Sequence, residues 1–230
     1  MLLDAGGTLL QESPSRAEIY AEAARGRGLE VDARTLRACM HRAHSELPRT
    51  LDGHFRYSVP WFQAFIAHVF HRELGLARPS LAGIEAELFA RFADPASFRL
   101  FPGALELCED LRERGLVVGI VSNWSPALPE VLRGLGLLER VDFALVSSLE
   151  QAEKPEPEIF ERALAQAGVD AGEALFCGND LEHDVRGAER LGLAAVLVDH
   201  PLTRNGAVAE PGVARVESLA ELGRFVLERL

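Results

Sequence analysis

The chain has 230 residues, of which 48% are hydrophobic and 26% charged, a composition typical of a globular protein with a buried core. Its formal net charge of −11 argues against nucleic acid or an anionic membrane as partner, since either would require a basic face. We expect a cytoplasmic protein, because the sequence shows no membrane-spanning apolar run, no secretory signal and only three widely spaced cysteines in apolar contexts.

The first 97 residues are predicted to hold one strand and then helices. The strand ends at Asp4 after only three residues, so either it is short or the natural start lies upstream. Helical patterns follow at about 15–28, 32–47, 59–75 and 80–93, without a convincing strand. The segment "PRTLDGHFRYSVP" (48–60) is the most loop-like part. These patterns predict an all-helical insertion.

From residue 102 onward, predicted helices and strands alternate. The helices lie at 102–116, about 126–134, 155–168, 181–192 and 216–230, and the strands at 117–123, 141–148, 173–178 and 194–199. Repeated strand–helix–strand units are typical of a parallel sheet with helices on both faces. We therefore predict an α/β fold with a doubly wound parallel sheet, formed by residues 1–12 and 98–230, and an inserted helical domain over residues 13–97.

Polar residues stand where predicted strands end. Asp4 follows "LL", Ser122 and Asn123 close "GIVSN", Lys154 lies in "EKPEPEIF", and "GNDLEHD" (178–184) follows "ALFC". Taken singly, each is common in a helix cap, a turn or a solvated surface. Lys154, however, is the only lysine, and it precedes a predicted helix N-terminus, where a cation is unfavourable without a shared anion. Because parallel strands end at one edge of the sheet, these residues predict a common anion pocket.

These motifs resemble, in order, those of the haloacid dehalogenase superfamily, whose members are mostly phosphohydrolases. "LLDAGGTLL" resembles the first motif, "GIVSN" the second, "EKPEPEIF" the lysine-bearing third, and "FCGNDLEHDVRGAERLGLAAVLV" the acidic fourth. The resemblance implies a Rossmann-like core domain and, over residues 13–97, the family's helical cap. The "DAGGT" opening is similar to that of a subgroup with such a cap.

The resemblance also implies roles for individual residues. Asp4 would be the nucleophile that forms an aspartyl ester or an aspartyl phosphate. Catalysis would further use Ser122 and Lys154, which supply a hydroxyl donor and a positive charge. The residues implied to bind the phosphate are Thr8, Ser122, Asn123 and Lys154. The implied substrate is a small anionic molecule, a phosphate ester or an acyl phosphate, and the oligomeric state stays open.

Magnesium is the implied cofactor, because it is a hard cation that prefers oxygen ligands. The resemblance implies binding by Asp4, the Gly6 carbonyl, and Asn179 or Asp184. Asn179 stands where an acid is usual, and Asp180 is an alternative ligand. One missing charge predicts a weaker metal site than the family normally has.

Gly6 departs from the phosphatases of this family, which usually have a second aspartate at its position. That aspartate protonates the leaving alcohol and then activates water, a contribution of about 10²–10⁴-fold. Three explanations stay open. In the first, the substrate has a leaving group that needs no proton, such as that of an acyl or aryl phosphate. In the second, a cap histidine (His41, His44 or His54) delivers the proton. In the third, the protein is a weakly active binder of phosphorylated ligands.

Two further enzymes of the superfamily bear on the prediction. A metal-independent 2-haloacid dehalogenase stays an alternative, because halide leaves without a proton, although those enzymes resemble each other in a tyrosine at the position of Gly6. Phosphonate cleavage through a cap lysine is disfavoured, since the segment 13–97 contains no lysine. Substrate specificity is expected from four cap residues, Arg49, Arg56, Tyr57 and Trp61.

Overall fold

The computed structural model describes residues 1–201 and 212–228 of the chain. Over these residues the strands are β1 (Leu2–Leu3), β2 (Leu10–Glu12), β3 (Thr50–Leu51), β4 (His54–Phe55), β5 (Phe98–Leu100), β6 (Gly119–Ser122), β7 (Phe143–Val146), β8 (Leu175–Gly178), β9 (Ala194–Val198) and β10 (Ala214–Val216). The helices are α1 (Arg16–Arg25), α2 (Ala33–Glu46), α3 (Val59–Ala67), α4 (Leu81–Ala93), α5 (Ala104–Glu113), α6 (Leu128–Gly134), α7 (Ser147–Glu150), α8 (Pro157–Ala167), α9 (Gly187–Glu189) and α10 (Leu219–Leu227).

Six of the described strands form a parallel sheet in the order β10-β9-β8-β1-β6-β7. The chain leaves β1 for β6 and β7 on one side, and then returns to place β8, β9 and β10 on the other. This reversal places the connections after β6 and β8 on opposite sides of the end of β1, which opens a crevice there. The predicted α/β fold is therefore confirmed.

The two side chains of β1 point to opposite faces of the sheet, because side chains alternate along a β-strand. Leu3 packs into a cluster that also contains Leu107 of α5 and Leu222 of α10. Leu2 packs into a second cluster, which contains Ile159 and Phe160 of α8. Helices thus cover both faces, as the doubly wound prediction requires.

The helical insertion has its own hydrophobic cluster, whose members all lie between residues 17 and 88. Its largest fully buried side chains include Tyr20, Trp61 and Phe70. The chain enters and leaves it through the antiparallel pair β2–β5, in which Glu12 faces Phe98. The boundaries 1–12, 13–97 and 98–230 stay a prediction, which this packing supports, and residues 202–211 and 229–230 within it lie outside the described residues.

The prediction of an all-helical insertion without strands is wrong at residues 50–55, where β3 and β4 form a short hairpin. Its two-residue turn is Asp52–Gly53, and both residues have positive φ, at 50° and 79°. Such a turn matches the twist of the paired strands, and an Asp-Gly dipeptide is its usual sequence. The segment that was expected to be a loop is therefore ordered by its own turn.

Several predicted element boundaries also change. The helix expected over 59–75 is α-helical only to Ala67 and continues as a wider π-type turn over His68–Glu73. The helix expected over 181–192 is a π-type turn, Leu181–Arg186, followed by the short α9. The helix expected over 216–230 begins at Leu219, because Ser218 caps it by accepting a hydrogen bond from the Glu221 amide, and β10 precedes it.

The structure also describes the cysteines and the character of the helices. Cys39, Cys108 and Cys177 are all buried free thiols. Among the described helices, none has both the length and the apolar character that a membrane crossing requires.

Candidate active site

The ends of β1, β6 and β8 bring the predicted residues together at the crevice. Asp4 directly follows β1, Ser122 is the last residue of β6, and Asp184 lies in the turn after β8. Together with Lys154 they line a cavity of about 760 Å³ between the sheet and the helical insertion. The four motifs therefore meet in space as the sequence predicted.

The ammonium group of Lys154 lies between two carboxylates. Its Nζ is 2.7 Å from Asp4 Oδ1 and 2.5 Å from Asp184 Oδ1. The three residues are only 3%, 5% and 1% exposed, respectively. Burial alone would lower the pKa of Lys154, but Asp184 and Asp4 outweigh it and raise that pKa, so the side chain stays charged. Burial, and the charge of Asp4, raise the pKa of Asp184 against the opposing effect of Lys154.

Hydroxyl groups hold the carboxylate of Asp4 in place. Ser122 Oγ donates to Asp4 Oδ1 at 3.0 Å, and Thr8 Oγ1 donates to Asp4 Oδ2 at 3.2 Å. The amide of Asp4 also donates to the carbonyl of Cys177 in β8, at 2.9 Å. Both the backbone and the side chain of Asp4 are thereby held in place, as is typical of a preorganised site.

Asn123 contacts Lys154 through the backbone. Its Nδ2 donates to the Lys154 carbonyl and its Oδ1 accepts from the Lys154 amide, both at 2.9 Å. With both ends of the amide occupied in this way, Asn123 positions the segment that carries the lysine. Its predicted contact with phosphate stays a prediction.

Gly6 lies against the indole of Trp124. A Cβ atom at Gly6 would come within 2.6 Å of Trp124 Cζ3. Trp124 is only 8% exposed, and its ring packs against Phe98 with centroids 5.6 Å apart. The indole therefore fills the space into which an aspartate at position 6 would extend. The sequence does not indicate this contact, because nothing in the motif "GIVSN" shows what the next side chain touches.

Restoring the family's usual acid with Gly6→Asp alone is expected to fail. The new side chain meets a buried, packed indole, so we expect a loss of about 1–3 kcal/mol in stability and no gain in hydrolysis of an alkyl phosphate. Thermal unfolding and steady-state kinetics measure the two effects. Gly172→Asp is the matched control, because Gly172 has open space around its α-carbon. A rise in alkyl phosphate turnover from Gly6→Asp alone would contradict the steric explanation.

The predicted magnesium ligands can be tested against the charge of the site. Asp4 and Asp184 are two buried carboxylates that share one ammonium group, which leaves an excess of negative charge for a cation to neutralise. Asn179 Oδ1 lies 3.4 Å from Thr8 Oγ1, which also contacts Asp4. The exposed Asp180 instead accepts from the amides of Glu182 and His183 and caps the turn that follows. The residues present thus fit a divalent cation, with Asp184 as the second acid.

One of the three candidate cap histidines lines the cavity. His44 Nε2 lies 3.0 Å from the hydroxyl of Tyr57, which lines the cavity too, whereas His41 and His54 are exposed and line neither described cavity. Burial, and then the charge of Arg56, lower the pKa of His44 to about 4. An imidazole with that pKa is neutral near pH 7, so it is a poor source of the missing proton.

The two candidate cap arginines contact the core domain. Arg49 Nε and Arg56 Nη1 lie 3.4 and 3.3 Å from Glu153 Oε1, directly before Lys154 in the chain. These ion pairs with Glu153 hold the helical insertion against the core. Neither arginine lines the cavity above Asp4. Glu153 was not singled out from the sequence, because its buried position follows from the packing of the two parts. Trp61, the fourth candidate, lines a second and smaller cavity.

Comparisons with known proteins agree with this fold. A family model described as haloacid dehalogenase-like hydrolase matches residues 1–192. The chain is 30% identical over 211 residues to "Haloacid dehalogenase-like hydrolase domain-containing protein 3" of Bos taurus, covering 90% of this chain and 84% of that protein. It is 32% identical over 251 residues to the phosphoserine phosphatase of Thermus thermophilus, covering 100% of this chain and 99% of that protein.

A solved structure extends the likeness to three dimensions. The HAD phosphatase from Thermococcus onnurineus superposes with a TM-score of 0.66 at 26% identity, covering 98% of this chain and 96% of that one. Both the sequence match and the superposition extend over most of the chain and include the four strand ends that carry the site. The chain therefore belongs to the haloacid dehalogenase-like hydrolase family.

Proposed function

We propose that this hydrolase is a magnesium-dependent phosphohydrolase of a small phosphorylated molecule, acting through an aspartyl phosphate on Asp4. One observation carries the proposal: the Asp4 carboxylate lies in a cavity within 3.0 Å of the Ser122 hydroxyl and 2.7 Å of the Lys154 ammonium group. The likeness to a phosphoserine phosphatase and to a HAD phosphatase supports the reaction class.

In the first step, a carboxylate oxygen of Asp4 attacks phosphorus and the bond to the leaving group breaks. Negative charge spreads over the equatorial oxygens of the phosphoryl group. Lys154 and Ser122, which contact Asp4 Oδ1, are the donors within reach of those oxygens. Removing one such donor typically lowers turnover by about 10²–10³-fold.

Asp4, the Gly6 carbonyl, and Asp184 or Asn179 would hold Mg²⁺ at this site. When bound, the ion adds positive charge next to the transferred phosphoryl group and offsets the excess of buried carboxylates. Lys154 separates the Asp4 and Asp184 carboxylates and reduces their mutual repulsion. Thr8 keeps the second oxygen of Asp4 oriented through its hydroxyl.

In the second step, water attacks the phosphorus of the aspartyl phosphate, which releases phosphate and restores the Asp4 carboxylate. Gly6 provides no acid for the first step and no base for the second. The leaving group must therefore depart as an anion, which favours substrates such as acyl and aryl phosphates over alkyl esters. The expected substrate is small, because the cavity above Asp4 has a volume of about 760 Å³.

Phosphate and halide release with and without magnesium test this proposal. Acetyl phosphate, phenyl phosphate and 2-chloropropionate would each be assayed with Mg²⁺ and with EDTA. We expect phosphate release with Mg²⁺, loss of turnover in EDTA, and recovery when Mg²⁺ is restored.

Two results would contradict the proposal. Halide release that persists in EDTA would identify a metal-independent dehalogenase. Thermal stabilisation by phosphate without turnover of any phosphate compound would identify a binding protein.

A further inference from the structure

We propose that the second cavity binds an aromatic leaving group, so that the substrates of this enzyme are aryl phosphates. This inference rests on the proposed phosphohydrolase function and names its substrate class. The cavity has a volume of about 310 Å³ and lies between α3, α4 and the loop that follows β6. Its size and position suit one or two fused rings held between the helical insertion and the core.

The walls of this cavity are mainly aromatic. Phe62 and Phe89 meet edge to face with centroids 5.1 Å apart, and Phe62 also contacts Phe92 at 6.1 Å. Trp61 and Phe65 stack at 5.6 Å. Aromatic pairs in such arrangements are stabilised beyond the burial of their surface, and a bound ring could make the same contacts.

The aromatic cavity is continuous with the cavity above Asp4. Five residues line both cavities: Arg16, His44, Tyr57, Asn123 and Trp124. A molecule whose phosphoryl group lies at Asp4 can therefore extend its other end between the aromatic walls. Trp124 stands at the junction, against Gly6, so the indole that fills the place of the usual acid also begins the aromatic wall.

The lining of the cavity carries little charge, which favours an apolar ring over a polar group as the occupant. Among the described residues that line this cavity, Arg16 is the one whose side chain is permanently charged. Its guanidinium lies 5.6 Å from the ring centroid of Phe92 and pairs with Glu12. A short acyl phosphate such as acetyl phosphate has no ring to contact the aromatic walls. An aryl group is apolar, and a phenol ionises near pH 10, far more easily than an alkanol. The cavity and the missing acid therefore favour the same substrate.

The reaction balances without any further reagent. A bond forms between an Asp4 oxygen and phosphorus while the bond from phosphorus to the aryl oxygen breaks, and the electron pair leaves on the phenolate. The phenolate takes a proton from water. A second water molecule then attacks phosphorus, the bond to Asp4 breaks, and the net products are a phenol and inorganic phosphate.

The test compares three phosphate compounds as substrates of the 230-residue chain with Mg²⁺. Acetyl phosphate reports the reaction at Asp4 without a ring, 1-naphthyl phosphate adds an aromatic leaving group, and cyclohexyl phosphate adds a ring that leaves as an alkoxide. We expect 1-naphthyl phosphate to have the highest kcat/KM. Cyclohexyl phosphate should be turned over at least about 10²-fold more slowly than 1-naphthyl phosphate, because no acid protonates its leaving oxygen.

Two variants test the cavity itself. Phe89→Ser removes one wall and should lower kcat/KM for 1-naphthyl phosphate about tenfold while leaving acetyl phosphate within about twofold. Phe225→Ser is the matched control, since Phe225 is also half-buried on a helix but lines neither described cavity. Val59→Asp is a second variant, at a position that is 50% exposed at the first turn of α3, where an acid is tolerated. It should lower 1-naphthyl phosphate turnover selectively as well.

The outcomes separate this inference from the proposed function. Turnover of acetyl phosphate without a preference for 1-naphthyl phosphate, or an unchanged ratio of the two in both variants, would overturn the aromatic subsite alone. Equal turnover of cyclohexyl and 1-naphthyl phosphate would overturn the choice of a phenolate leaving group. Failure to release phosphate from any of the three would overturn the phosphohydrolase and the subsite together.

Discussion

Asp4→Asn is expected to lower kcat/KM for acetyl phosphate by at least about 10³-fold, because an amide does not attack phosphorus. The substitution keeps the size of the side chain and an oxygen that accepts from Ser122 or Thr8, so the fold should persist. It also removes one of the two carboxylates that contact Lys154. Phosphate release and trapping of the phosphorylated protein by rapid denaturation measure the effect.

Asp110→Asn is the control for this prediction, since Asp110 is an exposed acid on α5 that lines neither described cavity. We expect its turnover to match that of the unmodified chain. Wild-type turnover in Asp4→Asn, or a phosphorylated protein that still accumulates in it, would rule out covalent catalysis by Asp4.

Lys154→Met is expected to affect both activity and stability strongly. It leaves the carboxylates of Asp4 and Asp184 buried without their ammonium group, which typically costs about 3–5 kcal/mol. Loss of a cation at the phosphoryl group should also lower turnover by at least about 10²-fold. Chemical denaturation in EDTA and phosphate release in Mg²⁺ measure the two effects. Arg190→Met is the control, because its ion pair with Glu182 is exposed and should contribute less than about 1 kcal/mol.

The stability loss in Lys154→Met should depend on pH. Burial and Asp4 raise the pKa of Asp184, and Lys154 opposes them, so its removal raises that pKa further. The native state then binds more protons than the unfolded state between the ordinary and the raised carboxyl pKa, and stability falls as pH rises through that interval. We therefore expect a smaller deficit at about pH 5 than at about pH 8. An equal deficit at both would show that Asp184 is not the destabilised group.

The local pattern of the sequence determined the fold and the place of the main site residues. The alternation of apolar runs with amphipathic helices predicted the parallel sheet, because each element's periodicity reflects the faces that it buries. Once that sheet was assigned, Asp4, Ser122, Lys154 and Asp184 were expected at one edge, since parallel strands end together. The structure brings these four residues into one cavity.

Short elements were harder to predict, because few residues carry their signal. The hairpin at Asp52–Gly53 has a two-residue turn of recognised type, but its strands are only two residues long. The sequence predicts no strand at β10, and only its last residue, Val216, falls in the predicted helix that follows, since three residues do not establish a period of two. Pairing with β9, a contact between distant residues, decides its conformation.

Only the tertiary structure decided what surrounds the predicted nucleophile. Trp124 lies against Gly6, Asn123 binds the backbone of Lys154, and Glu153 pairs with two cap arginines. The aromatic cavity likewise forms where the helical insertion meets the loop after β6. These contacts join residues that are remote in the chain, so no periodicity or spacing encodes them. The sequence by itself thus predicted which groups meet at the edge of the sheet, and the packing of the two parts decided the space that remains for a substrate.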